Sequence, residues 1–123
     1  MVPFEQFQSI VMNISAIDTS ADPEHWSTDN QLWGHCAVVS LLAQDLYGGE
    51  LVRHSLEQVQ GYEYLRSHYT NQLPDGREFD FTALQFSTGL PENLPREVRP
   101  RERVLAHPDT RRRYELLKSR FSS

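Results

Sequence analysis

The sequence predicts one α+β domain, in which a buried helix packs on a small antiparallel sheet and further helices lie near both ends of the chain. Three observations point to this fold. Residues from about 33 to 47 are apolar on nearly every side, which is typical of a helix at the centre of a domain. A strong turn signal at residues 73–77 joins two strand-like segments. The 123 residues, of which 38% are hydrophobic, suit a single domain over residues 1–123 and leave no room for two ordinary cores.

The first third of the chain predicts a helix, a loop and the buried helix. Residues 3–17 begin with Pro3, which suits the first position of a helix. The apolar residues that follow are spaced by three and four, as on one face of a helix: Phe4, Phe7, Ile10, Val11, Ile14 and Ile17. Residues 18–32 are rich in Asp, Ser, Thr and Pro and indicate a surface loop. The buried helix then follows and ends at Gly48-Gly49.

The turn sequence predicts the register of a β-hairpin. Residues 50–56 and 62–73 have strand-like composition, and Leu73-Pro74-Asp75-Gly76-Arg77 is typical of a hairpin with a bulge and a loop of residues 74–76. In this register Tyr69, Leu73, Phe79 and Phe81 share one apolar face. The opposite face carries His68, Thr70, Gln72, Glu78, Asp80 and Thr82.

The C-terminal part of the chain predicts an irregular segment and a last helix. Residues 87–108 contain four prolines and alternate Arg with Glu, so we expect an irregular wrap or a short extra strand near residues 103–105. Pro108 opens the last helix, on which Tyr114, Leu117 and Phe121 share one face.

The charge distribution argues against a nucleic-acid partner. The net charge is −5, with 3 basic and 12 acidic residues in residues 1–90, and 9 basic and 5 acidic residues in residues 91–123. No aromatic residues interleave with the arginines as base stacking would require. We therefore expect the basic C-terminal segment to lie against the acidic body of the domain.

Composition also limits cofactors and location. No stretch approaches the ~18 apolar residues of a membrane span, and the first residues lack the pattern of a signal peptide, so we expect a soluble, cytoplasmic protein without a membrane partner. The histidines and the single cysteine lack the spacing of a compact metal site: His25, His35, Cys36, His54 and His68. We expect no metal and no cofactor, and the sequence leaves the oligomeric state open.

Three residues form a candidate catalytic group. Cys36 lies near the start of the buried helix, where backbone N–H groups and the helix dipole favour a thiolate. Taken alone, Cys36 is more readily interpreted as a small buried hydrophobic residue, and His68 as a solvated strand residue. In the predicted register, however, Asp80 is the diagonal neighbour of His68, with Cα atoms about 7–8 Å apart, close enough for a hydrogen bond. A nucleophile, a base and an orienting carboxylate would then lie together.

Five motifs occur in order along the chain: Trp33-Gly34-His35-Cys36-Ala37-Val38, Gly48-Gly49-Glu50, Ser67-His68-Tyr69-Thr70-Asn71, Asp75-Gly76-Arg77-Glu78-Phe79-Asp80-Phe81-Thr82 with Gln85-Phe86, and the segment 110–117. Together they resemble the bacterial YunG-type family over most of residues 26–118. The order of Cys on a helix, His on a strand and Asp on the next strand is also similar to papain-like and transglutaminase-like cysteine enzymes. That second resemblance implies a papain-like core and thiol-based acyl transfer or hydrolysis, with Cys36 as nucleophile, His68 as general base and Asp80 as orienting carboxylate.

The resemblances assign expectations to further residues. The family pattern implies Gly-Gln-Cys, but here His35 occupies the middle position and would have to supply an oxyanion donor beside the Cys36 backbone N–H. Thr70 stands where an aromatic residue is expected at the edge of the site. Asn71 is the other candidate to orient His68, as in Cys-His-Asn sites, although the register turns it away. Gln85 either reaches the site or caps the turn after residue 82.

Trp33 either walls a substrate groove or belongs to the core. The resulting expectation is a cysteine hydrolase or acyltransferase that acts on an amide, a thioester or a glutamine side chain of a small molecule or peptide. The alternative is a binding or regulatory module on the same scaffold, in which His35 marks a lost oxyanion hole.

Overall fold

The computed structural model of the protein describes residues 2–122. Within this range the fold is α+β. The helices are α1 (Phe4–Ile14), α2 (Cys36–Tyr47), α3 (Arg101–Leu105) and α4 (Pro108–Phe121). The strands are β1 (Glu50–Ser55), β2 (Ser67–Gln72), β3 (Glu78–Phe79) and β4 (Arg96–Arg99). They form one antiparallel sheet in the order β3-β2-β1-β4.

The N-terminal helix is confirmed, but it ends earlier than the sequence predicts. Ser15 is extended, with φ −67° and ψ 145°, and its hydroxyl donates to Val11 O, the carbonyl that its own N–H also bonds. Ile17 therefore lies in a 3₁₀ turn and is 55% exposed, whereas Phe7 and Val11 are buried. The side chain of Ser15 competes for the backbone acceptor at the helix end, a local effect that apolar spacing does not reveal.

The buried helix α2 begins at Cys36, three residues later than the apolar run predicts. Gly34, which precedes the helix, has φ +76°, a left-handed backbone conformation that residues other than glycine rarely adopt. A Cβ at Gly34 would also lie 2.3 Å from Ser20 Oγ. The helix buries its central residues against β1, β2 and α4, and this fixes the position of its N-terminus over the sheet.

The predicted hairpin register is confirmed. Asn71 pairs with Phe79 and Gln72 with Glu78, and the Leu73 N–H donates to Arg77 O at 2.7 Å across the loop. Gly76 has φ +92°, as the bulge requires.

The predicted second strand is shorter than expected, because residues 63–65 form a 3₁₀ turn. Tyr62 and Leu65, three residues apart, both pack on a small apolar cluster of Trp33, Leu56, Val59 and Phe86. β2 begins only at Ser67.

The strand expected near residues 103–105 is wrong. Those residues belong to α3, and the extra strand is β4, whose Val98 pairs with Val52 of β1. Pro100 lies between them with φ −58°, which suits the start of a helix and stops the strand.

The last helix α4 is confirmed, with Tyr114 and Leu117 buried and Phe121 partly buried. The basic segment lies against the acidic body, as predicted. The ion pairs that join them are Arg101–Asp45 at 2.9 Å, Arg120–Asp18 at 2.5 Å and Arg96–Glu78 at 2.6 Å. Across residues 2–122, no helix is long and apolar enough to cross a membrane.

Candidate active site

Cys36 is the first residue of α2 and is partly exposed. The first helical hydrogen bond runs from the Val39 N–H to His35 O at 2.9 Å. The N–H groups of Cys36, Ala37 and Val38 therefore have no acceptor within the helix. They point from the positive end of the helix dipole, so negative charge is favoured at the sulfur and just beyond it.

The predicted contact between His68 and Asp80 is confirmed. His68 Nε2 lies 2.6 Å from Asp80 Oδ2, and Asp80 Oδ1 accepts from the Thr82 N–H at 3.1 Å. His68 is 1% exposed, so it is not a solvated strand residue. The ring of Phe86 packs edge-on against the imidazole, with centroids 4.9 Å apart and planes at 84°. The imidazole is thus held both by a charged hydrogen bond and by an apolar wall.

Burial lowers the pKa of His68, but its interactions with Asp80 and Cys36 outweigh burial and raise the pKa to about 10. Nε2 is bound to Asp80, so the interaction with Cys36 falls to Nδ1. Nδ1 is buried and makes no hydrogen bond of normal geometry within residues 2–122. The structure therefore brings together the thiol, the imidazole and the carboxylate that the sequence singles out, and it favours an imidazolium between them at neutral pH.

His35 does not lie where an oxyanion donor is needed. It is fully buried, its Nδ1 lies 2.9 Å from Trp33 O, and its Nε2 lies 2.7 Å from Thr19 Oγ1. Since a carbonyl only accepts, Nδ1 carries the proton and Nε2 accepts from the hydroxyl. Burial lowers the pKa of His35 to about 4, so the ring is neutral. Both nitrogens serve the fold, and the expected oxyanion role of His35 is not supported.

Gln85 combines the two roles that the sequence left open. Its Nε2 donates to Thr82 Oγ1 at 2.9 Å, and its Oε1 accepts from the Gly34 N–H at 3.2 Å. The side chain thus connects the segment after Asp80 to the turn before Cys36. It also lines the cavity beside the thiol.

Asn71 and Trp33 serve the fold. Asn71 Nδ2 donates to Ser40 O at 2.9 Å, which joins β2 to α2, so Asn71 does not orient His68. Trp33 is 7% exposed, packs in the same apolar cluster as Phe86 and donates through Nε1 to Asp22 Oδ2 at 2.9 Å. Of the two roles considered for Trp33, its surroundings fit the role in the core.

The comparison with known families decides which family this chain represents. A family model described as "YunG protein" matches residues 3–123. The chain belongs to the YunG family. No curated protein matches the chain, and no solved structure does.

Two cavities lie at the candidate site of this YunG family member. One, of about 130 Å³, lies beside Cys36. The other, of about 390 Å³, lies on the Asp80 side and is lined by His68, Asp80 and Thr70 among others. Thr70 there lies 3.0 Å from His54 Nε2, so it borders the Asp80 side rather than the thiol. At this edge of the site Thr70 supplies a hydroxyl where the family pattern implies an aromatic side chain.

Phe86 is the site residue whose role sequence reasoning missed. It packs on His68 and lines the thiol cavity, although it lies beyond the strands that carry the chemistry. The sequence gives little sign of this role, because a single aromatic residue after a turn is not part of any repeating pattern that would place it at the site. Only the position of the 3₁₀ turn Ala83–Gln85 brings Phe86 to the imidazole.

Among residues 2–122, one cluster has the composition of a metal site. Asp22, Glu24 and His25 each offer a ligand atom within 4.8 Å of the others. Glu24 and His25 are exposed, and His25 Nδ1 already lies 2.8 Å from Asp22 Oδ2. This cluster is separate from the three catalytic candidates, and its geometry is that of a surface hydrogen-bonded group.

Proposed function

We propose that this YunG family member is a cysteine-dependent hydrolase or acyltransferase that acts on an amide, a thioester or a glutamine side chain. Cys36 is the nucleophile, His68 the general base and acid, and Asp80 the group that orients His68. The observation that carries the proposal is the buried imidazole, bound to Asp80 through Nε2 at 2.6 Å while interaction with Cys36 helps to raise its pKa. A buried histidine held between a carboxylate and a thiol is the arrangement that activates a cysteine.

The chemistry follows from these positions. The Cys36 thiolate attacks the carbonyl carbon, an S–C bond forms, and the π electron pair moves to the oxygen. The intermediate collapses, the bond to the leaving group breaks, and the leaving group takes a proton from the His68 imidazolium. Neutral His68 then removes a proton from water or an amine, which attacks the thioester and releases the acyl product and the Cys36 thiolate.

The negative oxygen of the tetrahedral intermediate needs hydrogen-bond donors. The N–H groups of Cys36 and Ala37 lie in the first turn of α2 and have no helical acceptor. We assign the oxyanion role to the backbone at this helix start, because the ring of His35 is committed to Trp33 O and Thr19 Oγ1.

The proposal includes the scaffold and the location. A nucleophile at the start of a buried helix, with its base and carboxylate on neighbouring antiparallel segments, supports a papain-like arrangement for this α+β fold. A functional free thiol is best kept reduced in the cytoplasm, and we propose that location.

A substrate panel tests the proposed activity. Wild type and Cys36→Ser are incubated with amides, thioesters and glutamine peptides, and product and acyl-enzyme are followed by mass spectrometry. We expect turnover and an adduct on Cys36 in wild type only, with equal unfolding midpoints for both proteins as the control. If the two proteins behave alike on every substrate, the activity is refuted.

The alternative is a binding or regulatory module. The observation in its favour is that His35 occupies the position where the family pattern implies a glutamine, and its ring offers no free N–H to a substrate. A module of this kind predicts that Cys36→Ser retains ligand binding while no acyl adduct forms on wild type. It also predicts alkylation of Cys36 that is independent of His68.

A further inference from the structure

The cavity beside Cys36 has an apolar wall. Ala21, Ala37, Leu65 and Phe86 come from four separate segments and line a space of about 130 Å³ next to the sulfur. Ala37 follows the nucleophile on α2, and Phe86 also packs on His68. A group placed in this space therefore lies between the sulfur and the Phe86 ring that packs on the imidazole.

Apart from Cys36, whose thiolate is the proposed nucleophile, no charged residue lines this cavity among the residues that the structure describes. Its polar members are neutral: Ser67, Gln85 and Tyr69. Burial raises the pKa of Tyr69, which keeps its hydroxyl neutral. The cavity on the Asp80 side differs sharply, because Glu78, Asp80, Glu92 and Arg96 line it. Once Cys36 carries the acyl group, a charged end of that group would lose its hydration and find no counter-ion among the residues that line the cavity.

The size of the cavity limits what it can hold. Its volume of about 130 Å³ is slightly below that of an engineered cavity of about 150 Å³ that binds benzene. A group of about four to six non-hydrogen atoms therefore fits, whereas a long alkyl chain does not.

The geometry points to this cavity as the acyl-binding pocket of the enzyme, with short, uncharged acyl groups of about two to five carbons as its substrate class. This inference rests on the proposed function of Cys36. Leu65 is the specificity-determining residue, because it is the largest aliphatic side chain of the wall and has no contact role at the imidazole. Phe86, in contrast, also supports His68.

A series of p-nitrophenyl esters tests the pocket. The Cys36 thiolate forms a thioester with the acyl carbon, the C–O bond breaks, and p-nitrophenolate leaves with the electron pair. Acetyl, butyryl, octanoyl and succinyl esters are compared at high salt, and each rate is divided by that of a free thiol. We expect a gain of about fourfold per added methylene up to butyryl, and a loss of at least about tenfold from butyryl to octanoyl. The succinyl ester has the same chain length as butyryl and should also react at least about tenfold more slowly.

Two matched leucine variants locate the specificity. Leu65 and Leu94 are both half-buried and pack on the same apolar cluster, but Leu94 lines the cavity on the Asp80 side. Leu65→Ala should raise the octanoyl-to-butyryl ratio by about tenfold, and Leu94→Ala should leave this ratio unchanged. Equal ratios in the two variants, or equal rates for butyryl and succinyl esters, would overturn the assignment.

A binding measurement separates this inference from the proposed activity. Butyramide and succinamate are titrated into Cys36→Ser, and the methyl NMR signals of Leu65 are followed. Butyramide binding without acylation of wild type by any ester would refute the activity and retain the pocket as a binding site. Acylation of Cys36 without dependence on chain length or charge would retain the activity and refute the pocket. If neither binding nor acylation is observed, both are refuted.

Discussion

The charge of Asp80 is expected to keep His68 protonated far above the pH at which an ordinary histidine loses its proton. Asp80 Oδ2 lies 2.6 Å from Nε2 of His68, whose side chain is 2% exposed. Asp80→Asn keeps the size of the side chain and removes its charge. Burial, which lowers the pKa of His68, is then no longer offset by this carboxylate. We expect the pKa of His68 to fall by about two units.

The effect on stability follows from the same pKa. The pKa of His68 is raised from 6.5 to about 10, so the unfolded chain binds fewer protons than the fold between these pH values. The protonated imidazole therefore stabilises the fold fully below about pH 6.5, and this contribution is lost as the pH rises through about 10. The full rise in pKa, from 6.5 to about 10, corresponds to about 5 kcal/mol of unfolding free energy. A fall of about two pKa units in Asp80→Asn should therefore remove about 3 kcal/mol of it at neutral pH.

Two measurements test this pair, both made with Cys36 in place because Cys36 contributes to the raised pKa of His68. Histidine ring NMR gives the pKa of His68, and urea unfolding at about pH 6 and pH 10 gives the free energy of unfolding. The control is Glu78→Gln, because Glu78 Oε2 lies 3.8 Å from His54 Nε2 and makes no bond to His68. The free-energy difference caused by Asp80→Asn should be large at low pH and shrink toward pH 10. An equal difference at both pH values would refute the reasoning.

Three further predictions concern the surroundings of the site. Gly34→Ala should destabilise the fold by at least about 2 kcal/mol more than Gly61→Ala in urea unfolding. Both glycines have positive φ, but a Cβ at Gly34 would meet atoms at 2.3–2.9 Å and one at Gly61 meets nothing within 4 Å. His35→Gln should make the free energy of unfolding less sensitive to acid. Burial lowers the pKa of His35 from 6.5 to about 4, so wild type loses up to about 3 kcal/mol of unfolding free energy as the pH falls across that range. An equal loss in the variant would contradict this prediction. Arg101→Gln should lower the free energy of unfolding by about 1–2 kcal/mol, since Arg101 also donates to a backbone carbonyl and to a tyrosine hydroxyl. Arg96→Gln breaks only a surface ion pair and should lower it by less than about 1 kcal/mol. The order of the two unfolding midpoints checks this prediction.

Local turn chemistry made part of the site predictable from the sequence. The loop of residues 74–76 fixes the hairpin register, and the register alone brings Asp80 to the same face as His68. The buried helix was equally visible, because its apolar run ends at two glycines and needs no knowledge of distant segments. These features depend on neighbours in the chain.

The remaining features depend on contacts between distant segments. The role of His35 follows from Thr19, which the loop 18–32 brings to its ring, and no pattern at position 35 announces that contact. The position of β4 depends on pairing with β1 rather than on its own charged sequence. The cavity beside Cys36 is lined by residues from separate segments, and Phe86 is one of them. Sequence spacing cannot supply such contacts.

The central claim is that Cys36 and His68 act as one unit, and the pH dependence of Cys36 alkylation tests it most directly. Iodoacetamide is reacted with wild type, His68→Ala and the control His54→Ala, and the modified peptide is quantified from about pH 6 to pH 9. We predict that wild type and His54→Ala react fast already at about pH 6 with little further increase, whereas His68→Ala is at least about tenfold slower there. If wild type instead rises about tenfold per pH unit toward pH 8.5 and matches His68→Ala, the thiol is an ordinary one and the account is contradicted.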